Sequence, residues 1–96
     1  MAKLNVIIHQ PIRLRIMAAL VTLKLDEEVD FTYLRNLLEV TDGNLGSHLR
    51  KLEDAGFIQQ NKLFVDRKPR TYISITTRGR EAFDEHVSAL QEILQG

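Results

Sequence analysis

Apolar positions follow a helical period in three stretches up to about residue 56, give way to extended runs over about 57–65 and 71–75, the second alternating with a two-residue period, and return to a helical period from about residue 77. The clearest stretch runs from Thr41 to Gly56, T-D-G-N-L-G-S-H-L-R-K-L-E-D-A-G. At about 100° per residue, Leu45, Leu49 and Leu52 share one stripe. Gly43, Ser47, Arg50, Lys51 and Asp54 fall on the opposite side, with Asn44 beside them. Thr41 or Asp42 supplies a capping oxygen, and Gly56 supplies the left-handed residue that ends a helix. A helix over about 42–55 is therefore predicted, anchored by leucines on one side and presenting a small, polar and then basic surface on the other. Taken alone, this pattern also suits an ordinary amphipathic surface helix.

Its neighbours point further. Leu4 to His9 is an apolar lead-in that fits either a helical turn or an extended arm. Pro11 suits the first turn of a helix, predicted to continue to about Lys24. That helix has two apolar stripes, Ile12, Ile16, Ala19, Leu20 and Leu23 on one side and Leu14, Ala18, Val21 and Leu25 about half a turn away, so it needs cover on both sides. Residues 26–30 form an acidic loop with room for a very short strand. A second helix is predicted from Phe31 to Glu39, capped by Asp30, with Phe31, Leu34, Leu37 and Leu38 as its apolar face. Only Val40 to Asp42 separate it from the helix over 42–55, which makes a helix-turn-helix over about 31–56.

After Gly56 come two extended runs, to Val65 and from Thr71 to Ile75, joined by the turn D-R-K-P-R from Asp66 to Arg70. A hairpin with a basic tip directly after a helix-turn-helix is a wing, spanning about 57–76. A solvated turn that protects against edge pairing is the plainer reading. The last helix, about 77–95, is capped by Thr76 or Thr77 and again has two stripes: Phe83, Val87, Leu90 and Leu94, and Ala82, His86, Ala89 and Ile93. One stripe can pack on the domain and the other on a second copy. The expected fold is α+β and mostly helical, a winged helix-turn-helix with a C-terminal dimerisation helix. It is expected to form one domain over residues 1–96. Leu14, Ala18, Val21, Ala82, Phe83, His86, Val87, Leu90, Ile93 and Leu94 are the candidate dimer contacts.

Composition narrows the function. The 96 residues contain no cysteine, which removes disulfides and thiolate metal sites. His9, His48 and His86 lack the paired spacing of a metal site, so neither a metal nor another cofactor is expected. No apolar run approaches the roughly 18 residues of a membrane span and no secretory signal pattern opens the chain, so a cytoplasmic protein without a membrane partner is expected. Formal net charge is zero, but its distribution is uneven. Residues 41–80 carry eight Lys/Arg against four acids, residues 81–96 carry four acids and no Lys or Arg, and residues 1–40 balance at five each. The basic middle coincides with the predicted helix-turn-helix and wing, so double-stranded DNA is the expected partner.

These residues resemble the small winged-helix transcriptional regulators of the MarR-like and ArsR-like superfamily. The likeness rests on R13-L-R-I-M-A-A-L, V29-D-F-T-Y-L-R, the T41 to I58 run, K62-L-F-V-D-R-K-P-R-T-Y and T77-R-G-R-E-A-F, and covers nearly the whole chain. It implies a dimeric, sequence-specific DNA-binding regulator, with repression as the expected sense. Thr41 to Lys51 match the recognition helix, and Lys62 to Arg70 match the wing. One departure is Gly46, where such proteins commonly have Ser. An interior helical glycine costs about 1 kcal/mol relative to alanine. It either loosens the helix or admits a close neighbour.

The candidate DNA contacts are Thr41, Asp42, Gly43, Asn44, Ser47, His48, Arg50, Lys51, Lys62, Arg67, Lys68 and Arg70. Asn44, Ser47, Gly43 and His48 are placed to face bases, and the cations to face phosphates or the minor groove. His48 lies about 60° from the leucine stripe, so packing at a helix edge is an equal expectation. The alternative function is a protein-interaction module without DNA binding, disfavoured because R-K-P-R offers no apolar anchor. No nucleophile–base pair, carboxylate pair or phosphate loop can be assembled, so an enzyme is not expected. A small-molecule effector is left open and unsupported, with His86 the one polar candidate, more simply read as a satisfied or solvent-facing histidine.

Overall fold

A polar side chain accepts a backbone N–H just ahead of each of the four helices. In the computed structural model, which describes residues 3–96, Gln10 caps α1 (Pro11–Leu20) and Asp30 caps α2 (Phe31–Leu38). Thr41 caps α3 (Asp42–Asp54), and Thr76 caps α4 (Thr77–Gln95). Each cap satisfies a donor that the first helical turn leaves open, typically contributing about 1 kcal/mol. The strands are β1 (Val29–Asp30), β2 (Ile58–Val65) and β3 (Lys68–Ile75), an antiparallel sheet in the order β1-β3-β2. This is the expected α+β winged helix. The expected domain also includes Met1 and Ala2, which lie outside the described residues.

The core forms where α1, α2 and α3 converge on the base of the sheet. Ile8, Ile16, Met17, Leu20, Leu34, Leu38, Leu45, Leu49, Leu52 and Ile73 are buried. At about 1.5–3 kcal/mol per fully buried side chain, the Leu45, Leu49 and Leu52 stripe fixes which way round α3 sits. The opposite face is thereby held outward.

Several boundaries differ from the sequence reading. The first helix stops at Leu20 rather than near Lys24. The turn just after it is held from α4: the Arg80 guanidinium donates to the carbonyl oxygens of Val21, at 3.1 Å, and of Leu23. Leu25, placed on a covered stripe, is exposed in the loop that follows. The second helix ends one residue early, with Glu39 in the left-handed region (φ 55°). Leu37 is about half exposed because α1 and α3 cover only the Leu34–Leu38 side. The lead-in forms a single turn, His9 N–H donating to the Asn5 carbonyl at 2.7 Å.

The hairpin is tighter than expected. Val65 pairs with Lys68, so the turn is only Asp66-Arg67, both with positive φ (52° and 66°), the mirror-image conformation that suits the twist of two-residue hairpins. Lys68, Pro69 and Arg70 belong to β3 instead. Pro69 is tolerated because it forms the second pair from the turn, opposite Phe64, where its nitrogen faces away from β2. On that side β1 reaches only Ile73 and Tyr72. The outer hairpin, residues 61–70, therefore stands exposed beyond the body.

At the other end of the sheet, α4 joins closely. A methyl at Gly79 would stand 2.1 Å from the Phe57 carbonyl oxygen, so the first turn of α4 admits only glycine there without a shift. Among the described residues, no helix is long and apolar enough to cross a membrane.

Candidate nucleic-acid interface

The outward face of α3 is a shallow depression lined by Gly43, Gly46, Ser47, Arg50, Lys51 and Asp54. The two glycines make it shallow: a Cβ built at either meets nothing within 4 Å. No neighbour among the described residues requires them to be glycine. Asn44 stands exposed at the N-terminal end of this face, its side chain free of the cap that its backbone N–H makes with Thr41 Oγ1 at 3.1 Å. Arg50 and Lys51 are exposed at the C-terminal end.

A second groove, between α3 and the hairpin, is lined by Phe31, Gly46, Arg50, Glu53, Gln60 and Lys62. Glu53 sets the angle between its walls. Its carboxylate accepts the Gln60 backbone N–H at 2.9 Å and the Gln60 side-chain N–H at 3.2 Å, tying the last turn of α3 to the first part of β2. Lys62 then follows on β2, with Arg67 at the turn and Lys68 on β3. The basic side chains thus continue from α3 onto the hairpin.

Some expected contacts are engaged elsewhere. Asp42 accepts a 2.8 Å ion pair from Arg35 of α2, which keeps a carboxylate at the start of α3 from standing unpaired. Arg70 donates to Asp30 at 3.3 Å, the same carboxylate that caps α2. Both pairs are partly exposed, so each is a weak tether. His48 turns away from the outward face toward α1, because Arg13 offers it a strong donor: the guanidinium lies 3.1 Å from Nδ1 and can only donate. Burial, then the charges of Arg13 and Lys51, lowers the His48 pKa from the ordinary histidine value. Of the two expectations for His48, the packed one describes this geometry, with α1 as the element it meets.

His86, expected on a partner-facing stripe, is fully enclosed by the chain's own N-terminal segment. Its Nδ1 accepts the Asn5 N–H at 2.9 Å, leaving the hydrogen on Nε2, which has no partner among the described residues. The His9 ring lies 5.3 Å away at 59°. Burial, and secondarily His9, lowers the His86 pKa. Leu14, Val21, Ala82 and Phe83 pack in part against the core, and Val87 and Leu90 are half-buried. Ala18 is exposed, as are Ile93 (61%) and Leu94 (83%) at the end of α4.

Sequence reasoning missed Arg35, the Glu53–Gln60 clamp and the Arg13–His48 contact, none of which has a local signal. It also missed the apolar side chains of the hairpin. Leu63, Phe64 and Val65 are exposed, so although R-K-P-R offers no apolar anchor, the strand residues leading into the turn do.

Comparison with known proteins agrees with this geometry. The model of a family described as winged helix DNA-binding domain matches residues 12–94. An uncharacterized protein of Methanocaldococcus jannaschii is 40% identical over 89 residues, covering 93% of this chain and 90% of the relative. Among solved structures, a transcriptional regulator homologue from Pyrococcus horikoshii superposes with a TM-score of 0.85 at 35% identity, over 96% of this chain and 88% of that one. MepR of S. aureus, solved in complex with DNA, shares the fold with a TM-score of 0.68 at 22% identity, over 84% of this chain and 64% of that one.

Proposed function

The chain belongs to the winged helix DNA-binding domain family, a family of DNA-binding regulators rather than enzymes, and from that premise we propose that it is a dimeric, sequence-specific regulator that acts by occupying its operator. The observation that carries the reading is the glycine-floored face of α3. A glycine in a helix interior costs about 1 kcal/mol relative to alanine. Nothing among the described residues uses the space at Gly43 or Gly46, so the close approach they permit is to something outside the chain. A major groove fits: Asn44 and Ser47 reach base edges while Arg50 and Lys51 reach phosphates. Lys62, Arg67 and Lys68 extend the cationic track to the flanking backbone. Arg67 adds a further sign of selection for charge at the tip, since glycine suits its positive-φ position better.

Dimerisation completes the reading. Ile93 and Leu94 leave α4 with an apolar end, and Val6 is similarly exposed in the N-terminal segment. A second copy covering these residues would place two α3 helices about one DNA turn apart for a palindromic site. Repression by steric occlusion is the output this arrangement supplies without further parts.

A binding selection on genomic fragments at two salt concentrations, with the protein's mass measured in the same buffer, tests the proposal. Recovery of a pseudo-palindromic site by a dimer is expected. A folded protein that enriches no sequence at either salt overturns it.

A further inference from the structure

The outer hairpin carries a combination that phosphate binding does not use. Phe64 is 80% exposed, and its cross-strand partner on the same face is Pro69, also exposed. Leu63 and Val65 stand on the opposite face, opposite Arg70 and Lys68. Arg67 is at the turn, and Lys62 lies two residues back along β2 on the Phe64 face. An aromatic ring and a proline so placed cannot be covered by the body, because β1 ends its pairing at Tyr72.

The cations decide what covers them. An exposed apolar tip set among Lys62, Arg67 and Lys68 suits a polyanion with an apolar interior. The minor groove of DNA is such a surface, with phosphates at its rims and stacked bases beneath. Phe and Pro are among the side chains that enter it as wedges, partly unstacking a base step and kinking the duplex by about 20–90°.

We propose that Phe64, backed by Pro69, is a minor-groove wedge that bends the DNA flanking the site held by α3. This inference rests on the DNA-binding reading above. It adds a specificity determinant that makes no base-edge hydrogen bond. Pyrimidine–purine steps unstack most readily, so such a step beneath the wing is favoured over a stiff A-tract. Lys62, on the same face as Phe64, and Arg67 at the turn hold the hairpin at the phosphate rims, and Phe64 enters between them.

The test uses the full chain and duplexes labelled at both ends with a fluorescent donor and acceptor, each containing a selected site and either a TA or an A-tract flank. Wild-type protein is expected to shorten the end-to-end distance and to bind the TA duplex at least about fivefold more tightly. Phe64→Ala should bind with the duplex unbent and the preference for the TA flank lost, whereas Phe64→Leu should retain both. Because Phe64 is exposed, thermal melts of both variants should match wild type. Tight binding without bending, or bending unchanged in Phe64→Ala, overturns the wedge and leaves the regulator reading intact. Loss of dimer mass in Phe64→Ala also overturns the wedge, by assigning the tip to a second copy. Failure of wild type to bind any duplex overturns both.

Discussion

His86 shows how a single residue links the N-terminal segment to α4. Its Nδ1 holds the Asn5 N–H, and Asn5 Oδ1 in turn accepts the N–H groups of Ile7 and Ile8, so the turn that brings Ile8 into the core is organised around a neutral imidazole. Protonation removes that acceptor and places a charge in a fully buried site, with His9 as the neighbouring titratable ring. The folded-state pKa lies below the unfolded value of about 6.5, so the unfolded chain binds the proton more readily. The stabilising contribution is therefore complete above the unfolded value and is lost as pH falls from it through the lower folded-state pKa. His48, lowered in the same direction, adds to the trend. Urea melts across pH should show stability falling below about pH 6.5, with a shallower fall in His86→Leu. Identical slopes in the two proteins would mean that the imidazole is not the group that titrates. Neither the burial of His86 nor its partner was legible in the sequence, since both depend on where residue 5 is folded, 81 positions away.

At the scale of elements, local patterns were readable and long-range ones were not. The leucine stripe of α3, the caps at Asp30, Thr41 and Thr76 and the end of α3 at Gly56 follow from spacing and side-chain chemistry within a few residues. The end of α1 does not, because the turn that follows it is held by Arg80 of α4, through the Val21 and Leu23 carbonyls. The hairpin turn was misplaced for a related reason: Asp66-Arg67 lacks the glycine that usually marks such a turn, and the proline that suggested a longer one is accommodated by an unpaired edge. The angle between α3 and the hairpin depends on Glu53, whose two hydrogen bonds to Gln60 had no signal at all. Glu53→Ala should leave α3 folded, since the residue is exposed, while letting the hairpin swing. Operator binding is expected to weaken about three- to tenfold, with the loss concentrated in the contribution of the hairpin cations. Combined with Lys62→Ala, it should therefore be clearly non-additive. Additive losses in that double-mutant cycle would show that Glu53 acts independently of the hairpin.

Across the whole molecule, a formal charge of zero conceals a division of labour. Basic groups lie on α3 and the hairpin, while the last sixteen residues, 81–96, carry only acids among their charged side chains. The 53 × 26 × 21 Å extents describe an elongated body rather than a sphere. Salt-sensitive affinity is expected from the basic part, and partner contact from the exposed apolar end of α4. The central claim is that Gly43 and Gly46 are kept for a surface outside the chain. Its most direct test is the affinity of Gly46→Ala for the selected operator, measured beside its unfolding free energy. The added methyl meets open space in the isolated chain, so stability should rise by up to about 1 kcal/mol. Against DNA the same methyl intrudes, and affinity should fall at least about tenfold, or about 1.4 kcal/mol. A variant that is more stable and binds the operator as well as wild type would contradict the claim that this face of α3 lies against the bases.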